Sequence, residues 1–279
     1  MKFTKKKITD IAKKVLKVES EALKALSNNL PSCFEAFINS VYDSPGRLVI
    51  SGIGKSGHIA KKISATLAST GTPSYFIHAA EASHGDLGMI VEGDICILIS
   101  NSGETIELKD ILNHLKRFSI PFAVISSNLD STLMQSSNFP LNLPPQPEVC
   151  PIGMAPTTST TMMLALGDAI AVSLMHKRNF DVNQFKVFHP GGKLGAQMMK
   201  VKDIMHGKNK IPAVDPEMSM QEALLKMTSK GFGYAVVVKE NKVKGVISDG
   251  DLRRHINQLF DKKAGEIATK NPVTVKEDI

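Results

Sequence analysis

The chain has 279 residues, with 34 Lys+Arg against 27 Asp+Glu, 42% hydrophobic positions and three cysteines. At about 150 residues per domain, that length predicts one large domain and a smaller one. A charged fraction of 22% and a mean hydropathy of −0.04 exclude a disordered chain. No apolar run approaches the roughly 18–20 residues of a membrane span, and the lysine-rich start lacks a signal peptide's apolar stretch. A soluble, cytoplasmic protein with no membrane partner is expected.

Cys33, Cys96 and Cys150 lie far apart and form no CxxC pair, which speaks against a disulfide framework and a zinc knuckle. The net charge is +7, but seven lysines fall within the first 17 residues, and three Tyr with no Trp offer little stacking surface. Solvated helix faces and attraction for small anions are expected, with no nucleic-acid partner.

Residues 4–30 carry Ile8, Ile11, Val15, Ala22, Leu26 and Leu30 among lysines and glutamates, one stripe of an amphipathic helix. From residue 47 short apolar runs alternate with helical patterns. Arg47–Gly52, Tyr75–His78, Ile95–Ser100, Phe122–Ser126 and Phe139–Leu143 read as strands, with helices over Gly57–Ser69, 105–118 and Thr157–Arg178. Strands without strict alternation, separated by helices, predict an α/β fold: a doubly wound, five-stranded parallel sheet with its ligand crevice at the strand C-termini. This domain is expected over 1–195.

The remainder holds a partial internal repeat. Val201–Ile204 leads to Ile211–Val214 and a helix from about Ser219; Ala264–Ile267 leads to Asn271–Val275 and Lys276–Ile279. The first copy, over 196–260, continues with strand Ala235–Lys239, turn Glu240–Asn241, strand Val243–Ile247 and helix Gly250–Leu259. The second, over 261–279, stops where its first helix is due. The sequence leaves open whether that shortening is natural.

The first strand ends in Ser51-Gly52-Ile53-Gly54-Lys55-Ser56-Gly57, a GxGxxG at a strand-to-helix turn, where glycines and free helix N–H groups can meet an anion. The next strand ends Phe76-Ile77-His78 without the acidic residue a dinucleotide ribose needs, and Lys55 is misplaced for a Walker A loop. Lys55 is read as an anion ligand, against a merely solvated lysine, and Ser56 as a phosphate contact. The third strand ends in Ser100-Asn101-Ser102-Gly103-Glu104-Thr105, a hydroxyl-rich turn suited to a phosphate monoester. Ser102 could equally be an N-cap, and Glu107 a first-turn glutamate favoured by the helix dipole.

The stretch Glu81-Ala-Ser-His84-Gly-Asp86-Leu-Gly88 is polar and too irregular for a core element. Leu143-Pro-Pro-Gln-Pro-Glu148 is proline-stiffened and could hold Glu148 in place at little entropic cost. His189 precedes Pro190-Gly191-Gly192 and reads equally well as a loop histidine. Thr157–Thr161 adds hydroxyls at the start of the last helix of the domain. No HExxH, GxSxG or EF-hand pattern is present. One anion site with a lysine, carboxylates and histidines suits proton transfer on a phosphorylated metabolite without a cofactor.

Ser51–His58, Ser100–Thr105, Ala80–Met89 and His189–Gly192 together resemble the D-arabinose 5-phosphate isomerase family, over nearly the whole chain. That family joins a sugar isomerase (SIS) domain to a tandem pair of cystathionine β-synthase (CBS) motifs, which Val201–His206 and Ser248–Arg254 fit; the departure is the unfinished second motif. The resemblance implies interconversion of D-ribulose 5-phosphate and D-arabinose 5-phosphate through a cis-enediolate, the first step toward Kdo and lipopolysaccharide, by a homotetramer. It places the catalytic set on Lys55, Glu107, Glu148 and His189, with His84 in the active site. Phosphate binding falls to Ser56, Ser100, Asn101, Ser102 and Thr105.

Glu148 is expected as the base if burial raises its pKa, with His189 opening the ring, Lys55 stabilising anionic charge and Glu107 balancing Lys55. Exchanging the two glutamates is equally defensible. No metal is required, although His84 and His189 could bind an adventitious zinc. Ser248 and Asp251 match the family's ribose-contact positions, yet no intact nucleotide cleft is expected here. Alternative readings are a non-catalytic phosphosugar sensor, an isomerase of another phosphosugar, and an isomerase of sugar-alcohol catabolism.

Overall fold

The computed structural model describes residues 5–189 and 199–279. The chain divides into two compact units, Met1–Pro190 and Gly191–Ile279.

The first unit carries five parallel strands: β1 (Leu48–Gly52), β2 (Ser74–His78), β3 (Ile95–Ile99), β4 (Phe122–Ser126) and β5 (Phe139–Asn142), in the order β2-β1-β3-β4-β5. Its described helices are α1 (Lys5–Asn28), α2 (Phe34–Asp43), α3 (Gly54–Ser69), α4 (Ala79–Ala82), α5 (Lys109–Arg117), α6 (Thr132–Ser136), α7 (Thr158–Lys177) and α8 (Val182–Phe188). Successive strand residues enter different cores, as the two-residue period of a pleated strand requires. Leu48, Ile50, Ile95, Ile97, Ile99, Ala123 and Ile125 pack with α1, α2, α3 and α7. Val49, Cys96, Leu98, Phe122 and Val124 pack with α4, α5 and α6. A sheet buried on both faces explains why the strands read as unbroken apolar runs.

The strand positions follow the sequence reading within one or two residues; the helices depart further. Residues 105–118 form a 3₁₀ turn (Ile106–Leu108) before α5 begins. The polar segment Glu81–Gly88, read as irregular, overlaps the end of α4, whose Ala79 and Ala82 are buried, and a 3₁₀ turn at Asp86–Met89. Helices α2, α6 and α8 were not expected; α2 buries Phe37, Ile38 and Val41, a helical spacing too short to stand out. Helix α7 corrects the expectation of no span-length apolar segment, since an 18-residue stretch within its 20 residues has mean hydropathy 1.3. Half of that stretch is buried, with Met163, Leu166, Ile170 and Leu174 inside the sheet's core.

In the second unit β6 (Ala213–Val214) runs parallel to β7 (Tyr234–Lys239), which pairs antiparallel with β8 (Lys242–Ser248) and through it with β9 (Thr269–Lys270). Glu240 and Asn241 both have positive φ, as a tight two-residue hairpin demands. The helices are α9 (Val201–Ile204), α10 (Met220–Lys230), α11 (Asp249–Arg254) and α12 (Ala264–Ile267). The repeat reappears as capping. Asp203 accepts the Lys200 N–H ahead of α9 at 3.0 Å, and Glu266 accepts the Lys263 N–H ahead of α12 at 2.8 Å. The repeat segment Asn271–Val275 forms no strand. Asn271 takes a positive φ of 54° and Pro272 has no N–H to donate, so pairing ends at Lys270.

Candidate active site

The sheet reverses its strand order between β1 and β3, the place where ligands bind in open α/β sheets. Gly52 is in register with His78 on one side and Ile99 on the other. The turns after β1, β2 and β3 therefore leave the sheet at one level.

After β1, helix α3 starts at Gly54 with no side-chain cap on its leading N–H groups, which leaves them to an anion. A Cβ on Gly57 would sit 2.9 Å from the Gly52 carbonyl, so this turn requires glycine. Lys55 is exposed. Ser56 is half-buried, with its hydroxyl 4.0 Å from Met163 Sδ on α7.

The Ser100–Thr105 turn is built from its own hydroxyls. Ser100 is buried; its Oγ accepts the Gly103 N–H at 3.0 Å and lies 2.7 Å from Thr105 Oγ1. Ser102 is exposed, and its Oγ accepts the Glu104 N–H at 3.2 Å. Gly103 has φ +68° and a Cβ there would collide with Ser131.

A second loop, Ser126–Thr132 after β4, holds this turn in place, and the sequence reading missed it. Ser126 and Ser127 hydroxyls each donate to the Asn101 carbonyl at 3.0 Å, and Ser127 Oγ is equally close to Asn101 Oδ1. Leu133 N–H donates to the Gly103 carbonyl at 3.2 Å, and Thr132 N–H to Glu104 Oε1 at 2.6 Å. The signal was present as the polar run Ser126-Ser127-Asn128 at the end of an apolar strand.

His84 and Glu107 are both exposed, and their elements meet. Ser83 Oγ donates to Asp110 Oδ2 at 2.7 Å, joining the turn that holds His84 to the first turn of α5, just after Glu107.

Glu148 closes the start of α7. Its Oε2 accepts the Thr157 N–H at 2.7 Å, the Thr157 hydroxyl at 2.9 Å and the Ser159 N–H at 3.4 Å; its Oε1 accepts the Ser159 hydroxyl. Burial alone would raise its pKa, but the hydrogen bonds from Ser159 and Thr157 outweigh it and hold the carboxyl below its ordinary value. The expectation that burial would raise this pKa is thereby reversed. The same bonds occupy the Thr157 and Ser159 hydroxyls.

His189 does not join the other residues within one chain. Helix α3 has 16 residues and is about 24 Å long, with Lys55 in its first turn. Phe180 packs against Gly71, beyond the far end of α3, and stacks on Phe188 at 6.1 Å. His189 follows, stacked on Phe185 at 3.8 Å, with Nδ1 2.9 Å from the Phe185 carbonyl. It therefore lies on the order of 20 Å from Lys55. Pro190, Gly191 and Gly192, which complete its motif, lie outside the described residues. Among the described residues no group of three or more His, Cys, Asp or Glu side chains is placed to hold a metal ion.

In the second unit, Asp251 is buried and accepts from Ser248 N–H (2.9 Å), Ser248 Oγ (2.6 Å), Thr269 Oγ1 (2.9 Å) and the Arg254 guanidinium. Although burial opposes it, this set of donors holds the carboxyl well below the usual carboxylate range.

A SIS domain model matches residues 41–173 and a CBS domain model residues 201–258. An uncharacterized protein of Rickettsia prowazekii is 45% identical over 96% of this chain and 85% of its own. The arabinose 5-phosphate isomerase KdsD of Yersinia pestis is 42% identical over 96% of this chain and 83% of its own. The chain belongs to the arabinose 5-phosphate isomerase family. An Escherichia coli CFT073 protein, solved in complex with arabinose 5-phosphate, superposes with a TM-score of 0.66 at 37% identity, covering 67% of this chain and 100% of its own.

Proposed function

We propose that the protein is an aldose–ketose isomerase interconverting D-ribulose 5-phosphate and D-arabinose 5-phosphate through a cis-enediolate, the first step toward Kdo. The observation that carries this reading is 42% identity, over 96% of the chain, to a protein named for that activity. The adjacent anion-binding turns at the strand ends support it.

The phosphate is assigned to the leading N–H groups of α3 and the Ser100–Thr105 turn, with Ser56, Asn101 and Ser102 facing it and Ser100 and Thr105 setting the turn's shape. Binding energy from this remote group orients the sugar. Lys55 stabilises the enediolate oxygen. A proton-transfer base works best with a pKa near the operating pH, and the hydrogen bonds to Glu148 move its carboxyl away from it. The base is therefore assigned to Glu107, next to His84 as a proton shuttle, while Glu148 positions α7. His189 opens the ring. Because it lies far from Lys55 in its own chain, it acts on the site of another copy in a homo-oligomer, taken as the homotetramer. No step is routed through a metal or cofactor.

The domain assignment is 1–195 for the SIS domain, 196–260 for the first CBS motif and 261–279 for the start of a second. The assembly is placed in the cytoplasm, with neither nucleic acid nor membrane as partner. The deciding assay offers ribulose 5-phosphate beside ribose 5-phosphate and glucosamine 6-phosphate with chelator present. Production of arabinose 5-phosphate alone is expected. Phosphosugar binding without turnover on any of them would instead make the protein a sensor.

A further inference from the structure

A cleft of about 380 Å³ opens on the β4 side of the Ser100–Thr105 turn, between α5 and α6. Lys55, His84, Glu107 and Glu148 are not among its lining residues, so it adjoins the phosphate turn without containing the proposed catalytic side chains. Its size falls within the range of small-molecule sites. One wall is the stripe Lys109, Asn113 and Lys116, spaced four and three residues apart on one face of α5. The buried Leu112 and Leu133 give it an apolar floor.

The opposite wall is held by backbone. Thr132 N–H donates to Glu104 Oε1 at 2.6 Å and Leu133 N–H to the Gly103 carbonyl at 3.2 Å, so the two loops that form it are joined at two points. The charge of the lining favours an anion, with two lysines against Glu104, one of whose oxygens is already taken. Lys116 donates only to the neutral Ser136 hydroxyl, at 2.8 Å, and Lys109 has no ion-pair partner among the described residues. Seven residues of helix set the two lysine Cα atoms about 10 Å apart, with the Asn113 amide between them.

We propose that this cleft is a second ligand site, for an elongated metabolite with an acidic group at each end and a hydroxylated body between them. Each lysine takes one end, and Asn113 with Thr132 takes the hydroxyls. Glu104 and Thr105 belong both to this cleft and to the phosphate turn, so occupancy changes the affinity for substrate phosphate. That last consequence rests on the isomerase reading; the binding itself does not.

The test uses calorimetry on the full-length protein without substrate. The probe is 6-phosphogluconate, a carboxylate and a phosphate at opposite ends of a polyol, with glucose 6-phosphate and gluconate as one-ended controls. Lys55→Ala is expected to retain binding in the cleft. Lys109→Ala/Lys116→Ala should lose it at least tenfold, and Lys109→Arg/Lys116→Arg should keep it, with unchanged melting temperatures. Each one-ended control should bind at least tenfold more weakly. Binding kept undiminished in Lys109→Ala/Lys116→Ala would place the probe outside the cleft and overturn the proposal. So would the absence of binding to wild type at 10-millimolar probe, on the order of the weakest useful metabolite affinity. If binding follows the lysines, the probe should also shift KM for the sugar phosphate in wild type and not in Lys109→Ala/Lys116→Ala. A missing shift with binding intact would remove only the coupling.

Discussion

The Glu148 carboxylate accepts both the backbone N–H and the hydroxyl of Thr157, at 2.7 and 2.9 Å, and so caps the helix that forms the long side of the core. Its folded-state pKa lies below the ordinary 4.5, so near that pH the folded state binds fewer protons than the unfolded one and stability rises with pH. The contribution is complete above about pH 5 and is lost as pH falls through the folded-state value. Glu148→Gln should lower stability at pH 7 by about 1 kcal/mol, the usual worth of a cap. The gap between variant and wild type should shrink below pH 4, as acid titrates only wild type. Melts at pH 7 and pH 3.5 measure both; an equal gap at the two values would mean the carboxylate's charge contributes nothing.

Glu107 carries the opposite expectation. It is exposed at the start of the α5 segment, beside the His84 turn, and is the residue we propose as the base. Glu107→Gln should cut kcat by about 10²–10⁴ while KM moves less than about threefold, because the phosphate contacts remain. Steady-state kinetics decide it. Turnover within about tenfold of wild type would return the base to Glu148.

Ser127 is assigned no contact of its own with the substrate, yet it should alter affinity through Asn101. Its hydroxyl lies 3.0 Å from both the carbonyl and Oδ1 of Asn101, and so sets which way that amide points. Ser127→Ala removes one net hydrogen bond, worth about 1 kcal/mol, and should raise KM for the phosphosugar roughly fivefold with kcat little changed. Equal losses in kcat and in kcat/KM would instead point to a role in the transition state.

The strands were legible because each lies between two helical layers, and a doubly buried strand such as Ile95–Ile99 has no polar face to interrupt it. The turns after β1 and β3 were legible because their glycines and hydroxyls advertise an anion. Ser127's role was not, since it depends on β4 lying beside β3, a relation of space and not of spacing. The separation of His189 was hidden for a similar reason. Distance along the chain does not say at which end of the sheet a residue emerges, and the 20 residues of α7, about 30 Å of helix, carry the chain from one end to the other. Glu148's lowered pKa was concealed because its donors, Thr157 and Ser159, lie nine and eleven residues further along the chain.

Asp251 joins the two copies of the internal repeat, since its carboxylate accepts from Ser248 in the first and Thr269 in the second. Removing it would take the charged acceptor from the half-buried Ser248 and the exposed Thr269, at a cost of about 2 kcal/mol. Asp251→Ala should therefore speed hydrogen exchange roughly thirtyfold at the β8 amides that pair with β9. Exchange in β1 and β3 should stay unchanged, because those strands belong to the other compact unit. The folded-state pKa lies below the ordinary 3.8, so this stabilisation holds at neutral pH and is lost only in strong acid, as the group finally protonates. Wild type at pH 5 and pH 7 should then show the same protection at β8 once the intrinsic pH dependence of exchange is divided out. Protection already falling at pH 5 would mean that Asp251 is not the group holding β9 in place.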